Sequence, residues 1–185
     1  MTGLCGIVLA GGAGTRFGGP KALARAADGA PWVRTAVETL REGGCARVVV
    51  VLGAGAGEAS ALVPDDAQVA VAEDWAEGVA ASLRAGIRAA GPADAVVVLP
   101  VDTPDTPPSA VRRVVAAAAG EPRSALAQAV YGTRPGHPVL VGARHLAPLA
   151  ASVSGDRGAR PYLVAHGAVE VDCSDLWSGD DIDRR

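Results

Sequence analysis

Residues Leu9 to Leu23, LAGGAGTRFGGPKAL, set five glycines, one arginine and one lysine directly behind an apolar run. Lys21 is the only lysine in the chain, and the other 16 of its 17 basic residues are arginines. Glycines let backbone N–H groups come close to an anion, and successive amides form an anion-binding nest. Arg16 can grip a phosphate by two hydrogen bonds. Lys21 offers a compact charge on a flexible stem, suited to a phosphate that becomes a leaving group. The run is not a P-loop, because Pro20 separates Gly19 from Lys21 and Ala22 stands where Ser or Thr belongs. It is not a clean dinucleotide fingerprint either, because Phe17 occupies the third glycine position. The plain alternative is a glycine-rich turn between a strand and a helix.

A second segment with chemistry attached is VVVLPVDTPDTP, which puts Asp102 just beyond an apolar run. An aspartate where a strand leaves the sheet faces the ligand crevice and can take Mg2+ in oxygen coordination. The alternative is a helix cap or Asx-turn, since Asp-Thr-Pro is also turn chemistry. Asp105 reads as a turn or cap residue.

These segments need elements to hold them. LCGIVLA (4–10), ARVVVVLGAG (46–55), QVAVAE (68–73) and DAVVVLPVD (94–102) read as strands. They read as continuous Val/Ile/Leu runs rather than in-out alternation, as parallel strands covered on both faces should. Between them, PWVRTAVETLREGG (31–44), EGVAASLRAGIRAAG (77–91) and PPSAVRRVVAAAAG (107–120) read as helices with apolar stripes and proline or glycine punctuation. Alternating strands and helices predict an open α/β sheet wound right-handed. Further on, ALAQAVY and HPVLV read as two more strands, open to an antiparallel arrangement. ARHLAPLAAS and ARPYLVAHG read as short helices, and the tail SGDDIDRR is polar. The 185 residues suit one domain with one core.

Composition narrows the partners. Apolar residues make up 49% and aromatics 3%, with a net charge of -3. Without a basic block or stacking platforms, nucleic acid is not an expected partner. No apolar run approaches the ~20 residues that span a bilayer, and no secretory leader pattern is present. Cys5, Cys45 and Cys173 are odd in number and widely spaced, which predicts neither disulfides nor a metal site and fits a reducing cytoplasm.

LAGGAGTRFGGPKAL resembles the signature of nucleotidyltransferases that activate a phosphorylated small molecule with a nucleoside triphosphate. Within them it is most similar to the molybdenum cofactor cytidylyltransferase and guanylyltransferase family. That resemblance implies a three-layer, mostly parallel open sheet with a Rossmann-like nucleotide-binding half over residues 1–120 and an acceptor-binding half over 121–185. It implies that the loop wraps the triphosphate, with Arg16 and Lys21 neutralising it. Leu9, Ala10, Gly11, Gly12, Gly14 and Thr15 would line the nucleotide, with Gly11 and Gly12 against base and ribose. Asp102-Thr103-Pro104 matches the family's Asp-x-Pro, although Val101 replaces the usual preceding glycine. Catalysis would then fall to Lys21, Arg16 and a Mg2+ ion at Asp102.

Four further segments extend the resemblance. GVAASL (78–83) resembles a glycine-to-serine-leucine element beside the nucleotide, where Ser82 either touches the base or lies in a helix interior. Gly136-His137-Pro138 resembles an acceptor-side element; otherwise His137 is a strand-edge residue with a backbone partner. GDRGARPYL (155–163) resembles a segment of the enzymes that cytidylylate molybdopterin. There Asp156 is expected to cap a helix whose N-terminus, with Arg157 and Arg160, receives an anionic acceptor. SGDDIDRR resembles the start of a closing Asp-Ile-Asp-Thr-Pro segment, with Arg184-Arg185 in place of Thr-Pro, and Asp183 is the candidate second metal ligand. His145 and His166 read as structural.

The expected reaction is Mg2+-dependent transfer of CMP from CTP to molybdopterin, with release of pyrophosphate and a molybdoenzyme as client. Gly12 is guanylyl-like, which keeps GTP open as the donor. A sugar phosphate or another phosphorylated metabolite is the alternative acceptor. A non-catalytic chaperone that binds the cofactor is the alternative from another class.

Overall fold

In the computed structural model, residues 3–118 and 120–184 are described. Seven strands form one sheet in the order β3-β2-β1-β4-β6-β5-β7. They are β1 (Leu4–Ala10), β2 (Arg47–Leu52), β3 (Gln68–Val71), β4 (Ala95–Pro100), β5 (Leu126–Tyr131), β6 (Arg134–Gly142) and β7 (Val169–Asp172). The helices are α1 (Trp32–Glu42), α2 (Ala56–Ala59), α3 (Val79–Ala90), α4 (Pro108–Ala116), α5 (Ala143–Ser152) and α6 (Arg160–Ala165). β1 runs parallel to β2 and β4, β2 parallel to β3, and β5 parallel to β7. β6 alone is antiparallel to its neighbours β4 and β5.

The central strands are buried on both faces, which explains why their sequences read as unbroken apolar runs. Successive side chains still point to opposite faces. Val8, Val48, Val50, Val97 and Leu99 join the core with Val33, Val37 and Leu40 of α1 and Val111 and Val114 of α4. Ile7, Val49, Val51, Val96 and Val98 join a second core with Leu83 of α3, Leu149 of α5 and Leu163 of α6. The result is three layers: helices, sheet, helices.

Chain direction places the crevice. From β1 the chain winds outward through β2 to β3, then returns through α3 to β4 on the other side of β1. β1 and β4 therefore flank the point where the winding reverses, and ligands in such sheets bind beyond the strands' carboxyl ends there. Leu9 pairs with Pro100, and the Val101 N–H donates to the Leu9 carbonyl at 3.0 Å. The glycine loop and Asp102 thus leave the sheet side by side.

Most observed elements fall within the expected segments, several of them shorter. The helix expected over 107–120 ends at Ala116, and Ala119 lies outside the described residues. The strand expected at HPVLV starts earlier, at Arg134, as the second arm of a hairpin with β5. Two elements were not expected from the sequence. α2 is a single turn, and β7 is a four-residue edge strand with little burial.

Candidate active site

The loop after β1 folds around one carbonyl. The N–H groups of Phe17, Gly18 and Gly19 all donate to the Gly14 carbonyl, at 2.9, 2.9 and 3.1 Å. Gly14 has φ +61, and a Cβ there would sit 2.0 Å from the Gly19 carbonyl oxygen, so only glycine fits. The amides of Gly12, Ala13, Gly14, Thr15 and Arg16 donate to no backbone carbonyl among the described residues. Five successive donors are left for an anion.

Beside this loop lies a cavity of about 590 Å³. Leu9, Ala10, Gly11, Gly12, Gly14, Thr15, Lys21, Ser82, Asp102, His137 and Asp156 all line it. Gly11 is sterically required: a Cβ there would fall 2.4 Å from the Ser82 Oγ. Ser82 is buried in α3 and also lines the cavity. Trp75, Gly78 and Val79 complete this wall, and Gly78 and Val79 open the GVAASL element that the sequence sets beside the nucleotide.

The lone lysine is the charged centre. Lys21 Nζ donates to Asp102 Oδ2 at 2.9 Å and to Asp183 Oδ1 at 2.8 Å. Its side chain is 14% exposed, against 23% for Asp102 and 55% for Asp183. Burial works against the Lys21 ammonium, but its hydrogen bonds to Asp183 and Asp102 outweigh that and hold its pKa above the ordinary lysine value. The same bond holds the Asp183 carboxyl below the usual carboxylate range. The tail reaches the site because the Ile182 N–H donates to the Asp102 carbonyl at 2.9 Å. This also brings in Asp181, absent from the sequence-based ligand set.

Ligand oxygens of Asp102, Asp181 and Asp183 lie within 4.8 Å of one another. Three carboxylates are hard donors of the kind that hold Mg2+ or Mn2+, and a cation, the Lys21 ammonium, already bridges two of them. The donor set therefore fits a divalent ion.

Arg16 is exposed and contributes no atom to the cavity wall. It lies close enough to Asp183 to favour that carboxylate's charged form. Arg157 is exposed on a surface turn, with its N–H donating to the Ser154 carbonyl. Arg160 lines two adjoining cavities, of about 290 and 480 Å³. His137 lines these two and the main cavity as well, at their junction. Burial holds the His137 imidazole below its ordinary pKa, while Asp102 and Asp181 pull it back up.

The expectation that Asp156 caps the helix after it is overturned. α6 starts behind Ala159 without a side-chain cap. The 155–158 loop instead bends onto the start of α3, where the Gly155 carbonyl accepts from the Ala80 N–H at 3.0 Å. Asp156 Oδ1 lies 2.5 Å from where a Cβ of Gly78 would be. The loop satisfies a free amide of α3, a distant partner that local cap patterns do not encode. His145 is tied to the Tyr162 hydroxyl and the Ser124 carbonyl, on a helix face away from the cleft.

No helix among the described residues is long and apolar enough to cross a membrane, and the three cysteines are buried thiols.

Residues 6–170 match the MobA-like NTP transferase domain. The chain is 37% identical, over 96% of its length and 91% of the relative's, to nicotine blue oxidoreductase of Paenarthrobacter nicotinovorans. Among solved structures, the Rv0371c protein of Mycobacterium tuberculosis H37Rv superposes with a TM-score of 0.83 at 28% identity, covering 99% of this chain and 93% of that one. A complex of that protein with manganese superposes at 0.74, with 26% identity over 92% and 88% of the two chains. A nucleotidyl transferase from Methanothermobacter shares the fold at 0.80, with 23% identity over 98% and 92%. The match spans both the glycine loop and Asp102, and the chain belongs to the MobA-like NTP transferase family.

Proposed function

We propose that this protein is a divalent-metal-dependent nucleotidyltransferase that transfers CMP from CTP to the terminal phosphate of molybdopterin. The observation that carries the transferase reading is Lys21, ion-paired to Asp102 and Asp183 across from five free loop amides. In this reading the amides of Gly12 to Arg16 donate to the β- and γ-phosphate oxygens. Arg16 swings onto the same phosphates from the exposed side of the loop. Lys21 leaves its carboxylates for the α-phosphate and offsets the charge that builds there. Gly11 and Ser82 leave a flat wall for the ribose and base.

Asp102, Asp181 and Asp183 would hold Mg2+ or Mn2+, which when bound polarises the phosphoryl oxygens and orients the triphosphate. His137, Asp156 and Arg160 border the space from which the acceptor approaches, and Arg157 would add charge at its rim. An acceptor phosphate oxygen forms the new bond to the α-phosphorus. The bond from that phosphorus to the oxygen bridging to the β-phosphate breaks, and pyrophosphate leaves with its electron pair. No proton transfer is required, because the attacking phosphate is already ionised. Rate acceleration then comes from positioning and charge neutralisation.

The choice of molybdopterin and CTP rests on the GDRGAR resemblance, with Gly12 favouring GTP as the rival donor. A second reading is favoured by the name of the 37% identical relative: an oxidoreductase that uses the same cleft for a nicotinamide cofactor. Hydride transfer calls for neither the bridging lysine nor the three carboxylates. The test is pyrophosphate release from CTP and, separately, GTP, with molybdopterin and Mg2+. Release that needs all three components supports the proposal. Absence of release with either nucleotide, together with NAD(P)H consumption, would favour the second reading.

A further inference from the structure

Tyr131 closes β5 and is only 6% exposed, yet it takes part in no chemistry described above. Its hydroxyl donates to the His137 carbonyl at 2.7 Å. Its ring edge presses on two glycines that precede functional residues. A Cβ at Gly136 would lie 2.9 Å from the ring's Cε2. A Cβ at Gly179, which has φ +77, would lie 2.2 Å from its Cδ2. Trp177 meets the ring edge-on at 5.4 Å between centroids. Gly136 is followed at once by His137, and Gly179 stands two residues before Asp181 and four before Asp183.

We infer that Tyr131 is a positioning residue that sets His137 on the acceptor side and the Asp181/Asp183 tail on the metal side against one rigid ring. This rests on the reading that Asp102, Asp181 and Asp183 hold a divalent ion. The two arms use different parts of the side chain. The hydroxyl fixes the His137 backbone. The ring, through Gly179 and Trp177, fixes where the tail crosses the sheet before it reaches Lys21. A chain end without such a plate would deliver its carboxylates over a range of positions, and coordination tolerates little displacement.

The separation of roles gives the test. Mn2+ binding is followed by electron paramagnetic resonance in the presence of a non-hydrolysable CTP analogue, and steady-state constants are measured with molybdopterin. Tyr131→Phe keeps the ring: Mn2+ affinity stays within twofold of wild type, while the KM for molybdopterin rises about fivefold and the KM for CTP does not move. Tyr131→Leu removes both arms and weakens Mn2+ at least tenfold. Gly179→Ala forces the tail off the ring and weakens Mn2+ similarly, with the KM for molybdopterin unchanged. Circular dichroism and thermal melting establish that each variant folds, and Tyr131→Phe serves as the conservative rescue of Tyr131→Leu. Wild-type protein that binds Mn2+, with a Tyr131→Leu variant that binds it equally well, overturns the role of Tyr131 alone. Wild-type protein that binds no Mn2+ overturns the carboxylate reading and this role together.

Discussion

Replacing Lys21 with glutamine separates two effects that usually move together. In the nucleotide-free protein the ammonium makes charge-assisted bonds of 2.9 Å to Asp102 and 2.8 Å to Asp183. Such a bond is worth about 1.5–3 kcal/mol when protected from solvent. Asp183 is 55% exposed, so its arm is largely screened and contributes little. The Asp102 arm, with both partners under a quarter exposed, keeps about 1–2 kcal/mol after the same discount. A divalent ion entering the site must displace that ammonium. Lys21→Gln removes the charged competitor and leaves a neutral polar side chain one atom shorter, so Mn2+ should bind the nucleotide-free variant about 5- to 30-fold tighter. Without lysine, the carboxylates also repel one another: two unit charges 4.8 Å apart cost about 1 kcal/mol in water and about 3 kcal/mol at an effective dielectric of 20. That repulsion is relieved by a metal, which pushes in the same direction. Turnover moves the opposite way. Loss of one charged donor to the reacting phosphate should lower kcat by about 10²–10³, more than it weakens nucleotide binding. Electron paramagnetic resonance gives the Mn2+ constants, and single-turnover pyrophosphate release gives the chemical step. Tighter metal with slower chemistry is the expected pair. Unchanged Mn2+ affinity, or an unchanged chemical step, would falsify the assignment of Lys21 to both ligands in turn.

Other substitutions probe the walls. Gly11→Ala places a methyl 2.4 Å from the Ser82 Oγ and should weaken nucleotide binding about tenfold in a calorimetric titration, with Ser82→Gly restoring most of it. Gly78→Ala drives the Asp156 loop away and adds strain at φ +113; a thermal melt should fall by roughly 2–12 °C, for a loss of about 1–3 kcal/mol. The depressed pKa of His137 has a definite sign. The folded protein binds its proton less readily than the unfolded chain, so stability is full above the ordinary value of 6.5 and falls as pH drops through it. Urea unfolding from pH 8 to pH 5 should show this slope, and His137→Gln should remove it.

The sequence carried the parts of the site that local chemistry can write. The glycine run and Asp102 leave the ends of β1 and β4, and Lys21 follows directly behind the glycine run, so an apolar strand and the residues just after it announce the site without reference to the rest of the chain. What was not legible depends on distant contacts. Asp183 is named through the resemblance alone, while its bond to Lys21, across 162 residues, is not written locally, and Asp181 follows only because the tail is pinned at Ile182. Asp156 looks like a cap because a helix follows it, yet its loop answers a free amide of α3, some seventy-five residues earlier. β7, VEVD, alternates as a strand does, but over only four residues, too few to stand out from the surrounding loop. Tyr131 looks like any strand aromatic until the folded chain sets two glycines against its ring.

The most direct measurement is a crystal structure with a non-hydrolysable CTP analogue and Mn2+, read from the anomalous signal. The prediction is a manganese peak among the carboxylates of Asp102, Asp181 and Asp183, with the triphosphate on the amides of residues 12–16 and Lys21 turned toward the α-phosphate. A nucleotide bound elsewhere, or one bound here while Lys21 keeps both carboxylates and the metal sits apart, would contradict it.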